Sequence, residues 1–251
     1  MSDGATSDQS AMASLNAAKQ QLRAAMKHKL KAVSHESILS QSAAVFTTLR
    51  HFQPYLDAKR ISVFLSMPSG EIQTDAIVRD ALVAGKEVFI PYLHKNPASP
   101  DPPARVMDMV RLRDLADYES LQPDKWGIPS IDPATVQERE RVLGGPDAQH
   151  YAGILLDFIL MPGVAFSINP GDGAVMRLGH GKGFYDHFLS RHSAKAASLG
   201  QQESPVLLYG LALSEQFLPP SEGAVPVGPL DHPLNGIILG NGEIKGSHSA
   251  K

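Results

Sequence analysis

The chain has 251 residues, 43% of them hydrophobic and 20% charged, which is enough to bury one sizeable core. Its formal net charge of -3 provides no basic field to gather nucleic acid or an anionic membrane surface, so any anion it binds must be held locally. With no cysteine, disulfides, thiolate zinc sites and cysteine nucleophiles are excluded, and the ten histidines include no His-Glu-x-x-His spacing.

Residues 1–13 are small and polar, without an apolar signal core or an Arg-rich transit pattern, and read as a disordered tail. No run of about 18 apolar residues occurs, so no membrane span is expected, and a cytoplasmic, monomeric protein is predicted. A single domain is expected over residues 14–240, with a flexible tail at 241–251. From Ser14, the residues Leu15, Leu22, Met26, Leu30 and Val33 recur at helical spacing, with Lys19, Arg23 and Lys27 every four residues on a neighbouring stripe. Taken alone, that stripe reads as a solvated helix face or as an anion contact. A second helix starts with Ser34 as N-cap, continues through Ile38, Val45, Phe46 and Leu49, and stops before Pro54.

The pattern then becomes βαβ. Residues 61–65 read as a buried strand, Thr74 caps a helix through Ile77, Val78, Leu82 and Val83 that Gly85 ends, and 87–93 is the next strand. Such a unit implies a right-handed crossover and a mainly parallel sheet covered by helices, an α/β fold. Residues 96–105 hold four prolines and read as loop, followed by an edge strand at 106–112. An irregular region from Pro123 to His150 contains the sole tryptophan, Trp126. The strongest strand is predicted at 154–161, and a Gly-rich segment and a short helix from Tyr185 to about Arg191 follow it. The last strands are predicted at 206–213 and 236–239.

The segment Arg177-Leu178-Gly179-His180-Gly181-Lys182-Gly183-Phe184-Tyr185-Asp186 is the most informative. Three glycines at alternate positions between a strand and a helix let backbone N–H groups approach a phosphate, with the positive end of the helix dipole behind them and Arg177 and Lys182 beside them. It is not a Walker A loop, since Gly183 rather than Ser or Thr follows Lys182. A flexible turn with a solvated lysine is the plain alternative. Asp186 reads either as a helix-dipole partner or as a Mg2+ ligand beside phosphates. Trp126 and Tyr185 read as core or as stacking surfaces for a flat heterocycle. Glu71 follows Pro68-Ser69-Gly70 at the end of a strand, where open α/β sheets bind ligands, although a turn-supporting surface glutamate fits the same position.

At these residues the sequence resembles the 5-formyltetrahydrofolate cyclo-ligase family from about Ala18 to Leu239. The matching blocks are residues 161–166 with 177–186, AKQQLR at 18–23, FLSM and GEIQTD within 64–75, MDMVRL at 107–112 and VPVGPLD at 225–231. The resemblance implies a three-layer α/β/α fold, similar to sugar-phosphate isomerases and CoA transferases. It implies ATP-driven closure of 5-formyltetrahydrofolate to 5,10-methenyltetrahydrofolate by phosphorylation of the formyl oxygen and attack by N10. Lys19, Arg23 and the segment from Arg177 through Leu178, Gly179, His180, Gly181, Lys182, Gly183 and Phe184 to Tyr185 would bind ATP, with Lys19, Arg177 and Lys182 catalytic. Leu65, Glu71, Trp126 and His180 to Tyr185 would line the folate side, and Asp186 and Asp231 would hold Mg2+.

Three departures stand out against the family's pattern. His180 replaces a common Arg, Asn235 replaces a common Asp near the expected metal, and residues 169–174 lengthen the approach to the loop. A folate- or nucleotide-binding protein without chemistry, and a sugar-phosphate isomerase using a carboxylate base, are the competing readings.

Overall fold

The computed structural model describes residues 3–95, 105–143, 154–201 and 206–246. In chain order it has α1 (Asp3–Lys31), α2 (His35–Leu49), α3 (Gln53–Asp57), β1 (Arg60–Val63), α4 (Asp75–Val83), β2 (Glu87–Lys95), β3 (Arg105–Arg111) and α5 (Leu115–Glu119). The short pair β4 (Gln122–Pro123) and β5 (Pro129–Ser130) is followed by β6 (Phe158–Met161), β7 (Ala165–Ile168), β8 (Val175–Leu178), α6 (Phe184–Ser198), β9 (Leu207–Ala212), β10 (Gly236–Leu239) and β11 (Ile244–Gly246).

Seven strands form one sheet in the order β11-β10-β9-β6-β1-β2-β3. The inner pairs are parallel, while the edge strands β3 and β11 run antiparallel to their neighbours. Alternation along each strand feeds two separate cores. Ile61, Val63, Phe158, Leu160, Tyr209, Leu211 and Ile238 face the α2 and α4 residues Ile38, Val45, Leu49, Ile77 and Val78. Ile159, Met161, Leu208, Ala212, Ile237 and Leu239 face Phe188 and Leu189 of α6. Both faces being covered, the parallel strands read as continuous apolar runs, and the predicted helix–sheet–helix layering is what forms. Ser34 caps α2 through its side chain, which accepts the Ser37 N–H at 3.1 Å.

Several boundaries move. The helix predicted from Ser14 begins at Asp3, so α1 runs through the expected tail, its small residues including the good helix formers Ala5, Ala11 and Ala13. At the other end, a turn with Gly242 at φ 82° returns Ile244–Gly246 onto β10, extending the sheet into the segment expected to be flexible. The strand predicted at 154–161 is regular only over Phe158–Met161, and the helix expected to end near Arg191 continues to Ser198. Thr74 takes the N-cap position of α4, but its hydroxyl donates to Phe64 O at 2.7 Å instead of capping. Most of the expected proline-rich loop, and residues 144–150 of the irregular region, lie outside the described residues.

An antiparallel hairpin, β7–β8, stands apart from the main sheet and carries the glycine segment at its end. Residues 169–174 are its turn, closed by Asn169 N donating to Ala174 O at 2.9 Å. Leu22 and Met26 of α1 pack on Val164, Ala165, Met176 and Leu178 of this hairpin, which fixes the first helix beside the glycine loop.

Candidate active site

The chain leaves β1 for β2 on one side and later returns to β6, β9 and β10 on the other, so strand order reverses between β1 and β6. Crevices outside the carboxyl ends of strands at such a switch are where open α/β sheets bind ligands. The loop after β1 supplies Leu65 and Glu71, and the turn after β6 supplies Pro162, whose carbonyl accepts Arg177 Nη1 at 3.3 Å.

Arg177 is the buttress of the glycine loop. Its side chain is 5% exposed, and Nη2 donates to both Asp186 carboxylate oxygens at 3.3 and 3.2 Å. The guanidinium also lies 5.4 Å from the centre of the Tyr185 ring. A Cβ on Gly179 would come within 2.8 Å of Arg177 Nη1, so a side chain there would push the guanidinium away from its place beneath the loop. Gly181 and Gly183 have φ of 89° and 65°, the left-handed region, and Gly183 is the N-cap residue of α6.

From α1, Arg23 Nε donates to Gly179 O at 2.8 Å, and Lys19 Nζ meets Asp231 Oδ2 at 2.5 Å. The Gly228 N–H also donates to Asp231 Oδ2, at 2.6 Å. Two of the three basic residues on the predicted stripe therefore enter the site, while Lys27 remains exposed. Lys182 is exposed at the loop tip. His180 reaches solvent, yet the protein packed around it, and then the Arg177 and Arg23 guanidiniums, lower its pKa from the ordinary imidazole value.

Glu71 is not a surface glutamate, being 6% exposed. It does support a turn, accepting the Met67 N–H at 2.6 Å, while Gln73 Nε2 braces the loop through Met67 O and Glu71 O. Burial pushes the Glu71 pKa up to about 7, the Met67 bond opposing it. Tyr185 neighbours it: burial raises the phenol's pKa, Arg177 opposes the rise and the Glu71 charge adds to it. Leu65 belongs to the core beneath this loop. Trp126 is 56% exposed, so it is not core. Its turn is tied by Asp124 Oδ1, which accepts the Trp126 and Ile128 N–H groups, and Gly127 packs against Pro68 of the Glu71 loop.

Asp186 and Asp231 are linked through His232, the residue after Asp231, whose N–H donates to Asp186 Oδ1 at 3.3 Å. Nothing in the sequence marks His232, since a single histidine beside Asp231 carries no pattern. No group of three or more His, Asp or Glu side chains suited to a metal gathers among the described residues. Two carboxylates, 20% and 23% exposed, nevertheless fit a Mg2+ whose remaining ligands are phosphate and water. Asn235, which stands where an Asp is common in the family, has a structural bond as well: its Oδ1 accepts the Leu208 N–H at 2.8 Å and its N–H donates to Leu208 O, joining β10 to β9. Arg177 Nε, the Tyr185 hydroxyl and His232 Nδ1 are buried with no hydrogen-bond partner among the described residues.

The model of the 5-formyltetrahydrofolate cyclo-ligase family matches residues 15–240. The chain belongs to that family. Membership makes it an enzyme, a cyclo-ligase of folate chemistry. A Caenorhabditis elegans protein named "Probable 5-formyltetrahydrofolate cyclo-ligase" is 37% identical over 90% of this chain and 95% of its own. The 5-formyltetrahydrofolate cyclo-ligase of Mus musculus is 34% identical over 83% of this chain and 89% of its own. The NMR structure of the Aquifex aeolicus 5,10-methenyltetrahydrofolate synthetase has the same fold, with a TM-score of 0.62 and 23% identity over 93% of this chain and 94% of that one. A cyclo-ligase relative from Arabidopsis thaliana is named mitochondrial, so family membership does not assign a compartment. No described helix is long and apolar enough to cross a membrane.

Proposed function

We propose that this chain closes 5-formyltetrahydrofolate to 5,10-methenyltetrahydrofolate at the expense of ATP, and that the crevice between α1, the Glu71 loop and the glycine loop is where it does so. The observation that carries the reading is the meeting of Arg23 and Arg177 on a glycine loop at a helix N-terminus, with Lys19 one turn before Arg23 and paired to Asp231, beside three buried polar atoms without a hydrogen-bond partner among the described residues. Such a site is built for a polyanion.

A formamide oxygen leaves poorly, so it needs activation. Transfer of the γ-phosphoryl group to that oxygen makes it a phosphate leaving group. N10 then attacks the formyl carbon, the N10 proton is lost, and departure of phosphate leaves the methenyl bridge. Phosphoryl transfer asks the protein mainly for alignment and charge neutralisation, which Arg23, Lys182 and the loop amides supply. Lys19 contributes once it exchanges Asp231 for a phosphate oxygen. Asp186 and Asp231 would hold Mg2+, which would neutralise phosphate charge. On the folate side, the Glu71 carboxyl suits the donor groups of a pterin edge, with Tyr185 and Trp126 as aromatic neighbours and Leu65 below. With a pKa of about 7, Glu71 is available both as acceptor and as donor near neutrality.

Oxygen labelling tests the chemistry. Substrate carrying ¹⁸O in the formyl group should deliver the label to inorganic phosphate, one atom per turnover. Label appearing in water while phosphate stays unlabelled would exclude phosphorylation of the formyl oxygen.

A further inference from the structure

The β2–β3 hairpin overhangs the carboxyl ends of the sheet. β1 ends at Val63, one step beyond the Ser62–Phe89 register, whereas β2 continues to Lys95 with β3 paired alongside it throughout. Asp108, 1% exposed, sits on this arm opposite Tyr92. One carboxylate oxygen lies 2.7 Å from His94 Nε2, and the other accepts Arg191 Nη2 of α6 at 2.9 Å. Arg191 Nη1 also donates to Met107 O at 3.3 Å.

Alternation places Asp108 with Ile90, Tyr92 and His94 on one face of the hairpin. Met107, Met109 and Phe89 lie on the other, packed with Phe188 and Leu189 of α6. Arg191 therefore reaches its carboxylate across the outer edge of β3, and the apolar contact on one face is joined to a charged one on the other. A buried ion pair adds little net stability over well-packed apolar groups, but a guanidinium fork fixes direction. Arg191 lies five residues after Asp186, about one and a half turns along the same helix. Anchoring it fixes the rotation of α6 about its axis, and with it the first turn.

We propose that Asp108 is a positioning residue: by clasping Arg191 of α6 and His94 of the overhanging hairpin, it sets the roll of α6 and so the placement of Tyr185, Asp186 and the glycine loop toward the nucleotide. This rests on the reading of that loop as the nucleotide site.

The test is titration calorimetry of the full chain with a non-hydrolysable ATP analogue and Mg2+. Asp108→Asn and Arg191→Ala should each weaken binding about tenfold, and Arg191→Lys, which keeps the charge and a donor, should recover part of the loss. The control is Asp117→Ala, which removes another buried carboxylate from its arginine, Arg139 at 2.5 and 2.7 Å, away from α6. It should lower the melting temperature at least as much while binding the analogue within about twofold of wild type. Wild-type affinity in Arg191→Ala, or an equal loss in Asp117→Ala, would overturn the positioning role. If Asp108→Asn does not fold, Arg191→Ala, at a partly exposed residue, decides alone. Failure of the wild-type protein to bind the analogue would instead sink the nucleotide-site reading.

Discussion

Lys19 in the first helix and Asp231 near the end of the chain, 212 residues apart in sequence, form an ion pair of 2.5 Å at the mouth of the glycine loop. Arg177 and Asp186 form a second pair beside it. The cations and carboxylates proposed to receive phosphate and metal are thus paired with each other, so removing one member of either pair leaves its partner's charge uncompensated.

Lys19→Ala should act on nucleotide binding more than on folding. A hydrogen bond to a charged group contributes about 1.5–3 kcal/mol, so KM for ATP should rise roughly 10- to 150-fold. Asp231 keeps the Gly228 N–H as a partner, and the melting temperature should fall by only a few degrees. Steady-state kinetics and a thermal melt on the same preparation check both halves.

Gly181→Ala should injure the loop by geometry alone. The residue has φ of 89°, and a Cβ there would lie 3.1 Å from Arg23 Cζ, tight enough to displace the guanidinium. The backbone strain is about 1–2 kcal/mol, and a raised KM for ATP with near-normal secondary structure by circular dichroism is the expected result.

Lys182→Ala and Asp186→Ala should differ in stability though both lose turnover. Lys182 is exposed, so its removal should cost about a hundredfold or more in kcat with an unchanged melting temperature. Asp186→Ala leaves the buried Arg177 with Pro162 O as its one hydrogen-bond acceptor among the described residues. Destabilisation should follow, below the roughly 3–5 kcal/mol of a fully buried pair because Asp186 is 20% exposed. Equal melting temperatures for the two variants would contradict the buttress role of Arg177.

Glu71 makes stability depend on pH in a definite direction. Its folded pKa, about 7, lies above the ordinary glutamate value of 4.5, so the stability it contributes is complete below pH 4.5 and lost as pH rises through 7. The difference is about 3 kcal/mol. Glu71→Gln keeps an oxygen for the Met67 N–H and cannot ionise, so it should melt higher than wild type at pH 8 and close to it at pH 5. Parallel wild-type and variant melting curves across that range would contradict a buried, neutral carboxyl.

Much of this was legible in local pattern. Ser34 as a cap, the parallel strands as apolar runs, and the glycine loop between a strand and a helix are each written in a few adjacent residues. The β7–β8 hairpin was not, because two four-residue strands around residues 169–174 give too short an alternation to distinguish from loop. Nor were the pairings that complete the site. His232 with Asp186, Arg23 with Gly179 and Asp108 with Arg191 join residues 46, 156 and 83 positions apart, and no periodicity connects them. Glu71 was recognised by position, but its burial, and so its raised pKa, comes from the folded loop around it.

The most direct measurement is the ultraviolet absorption of the methenyl product when the purified protein meets 5-formyltetrahydrofolate and Mg2+, with and without ATP. Absorption that grows only when ATP is present, in step with ADP release, is the predicted result. No product at high protein concentration, with both ligands shown to bind, would contradict an ATP-driven cyclo-ligase and leave a binding protein in its place.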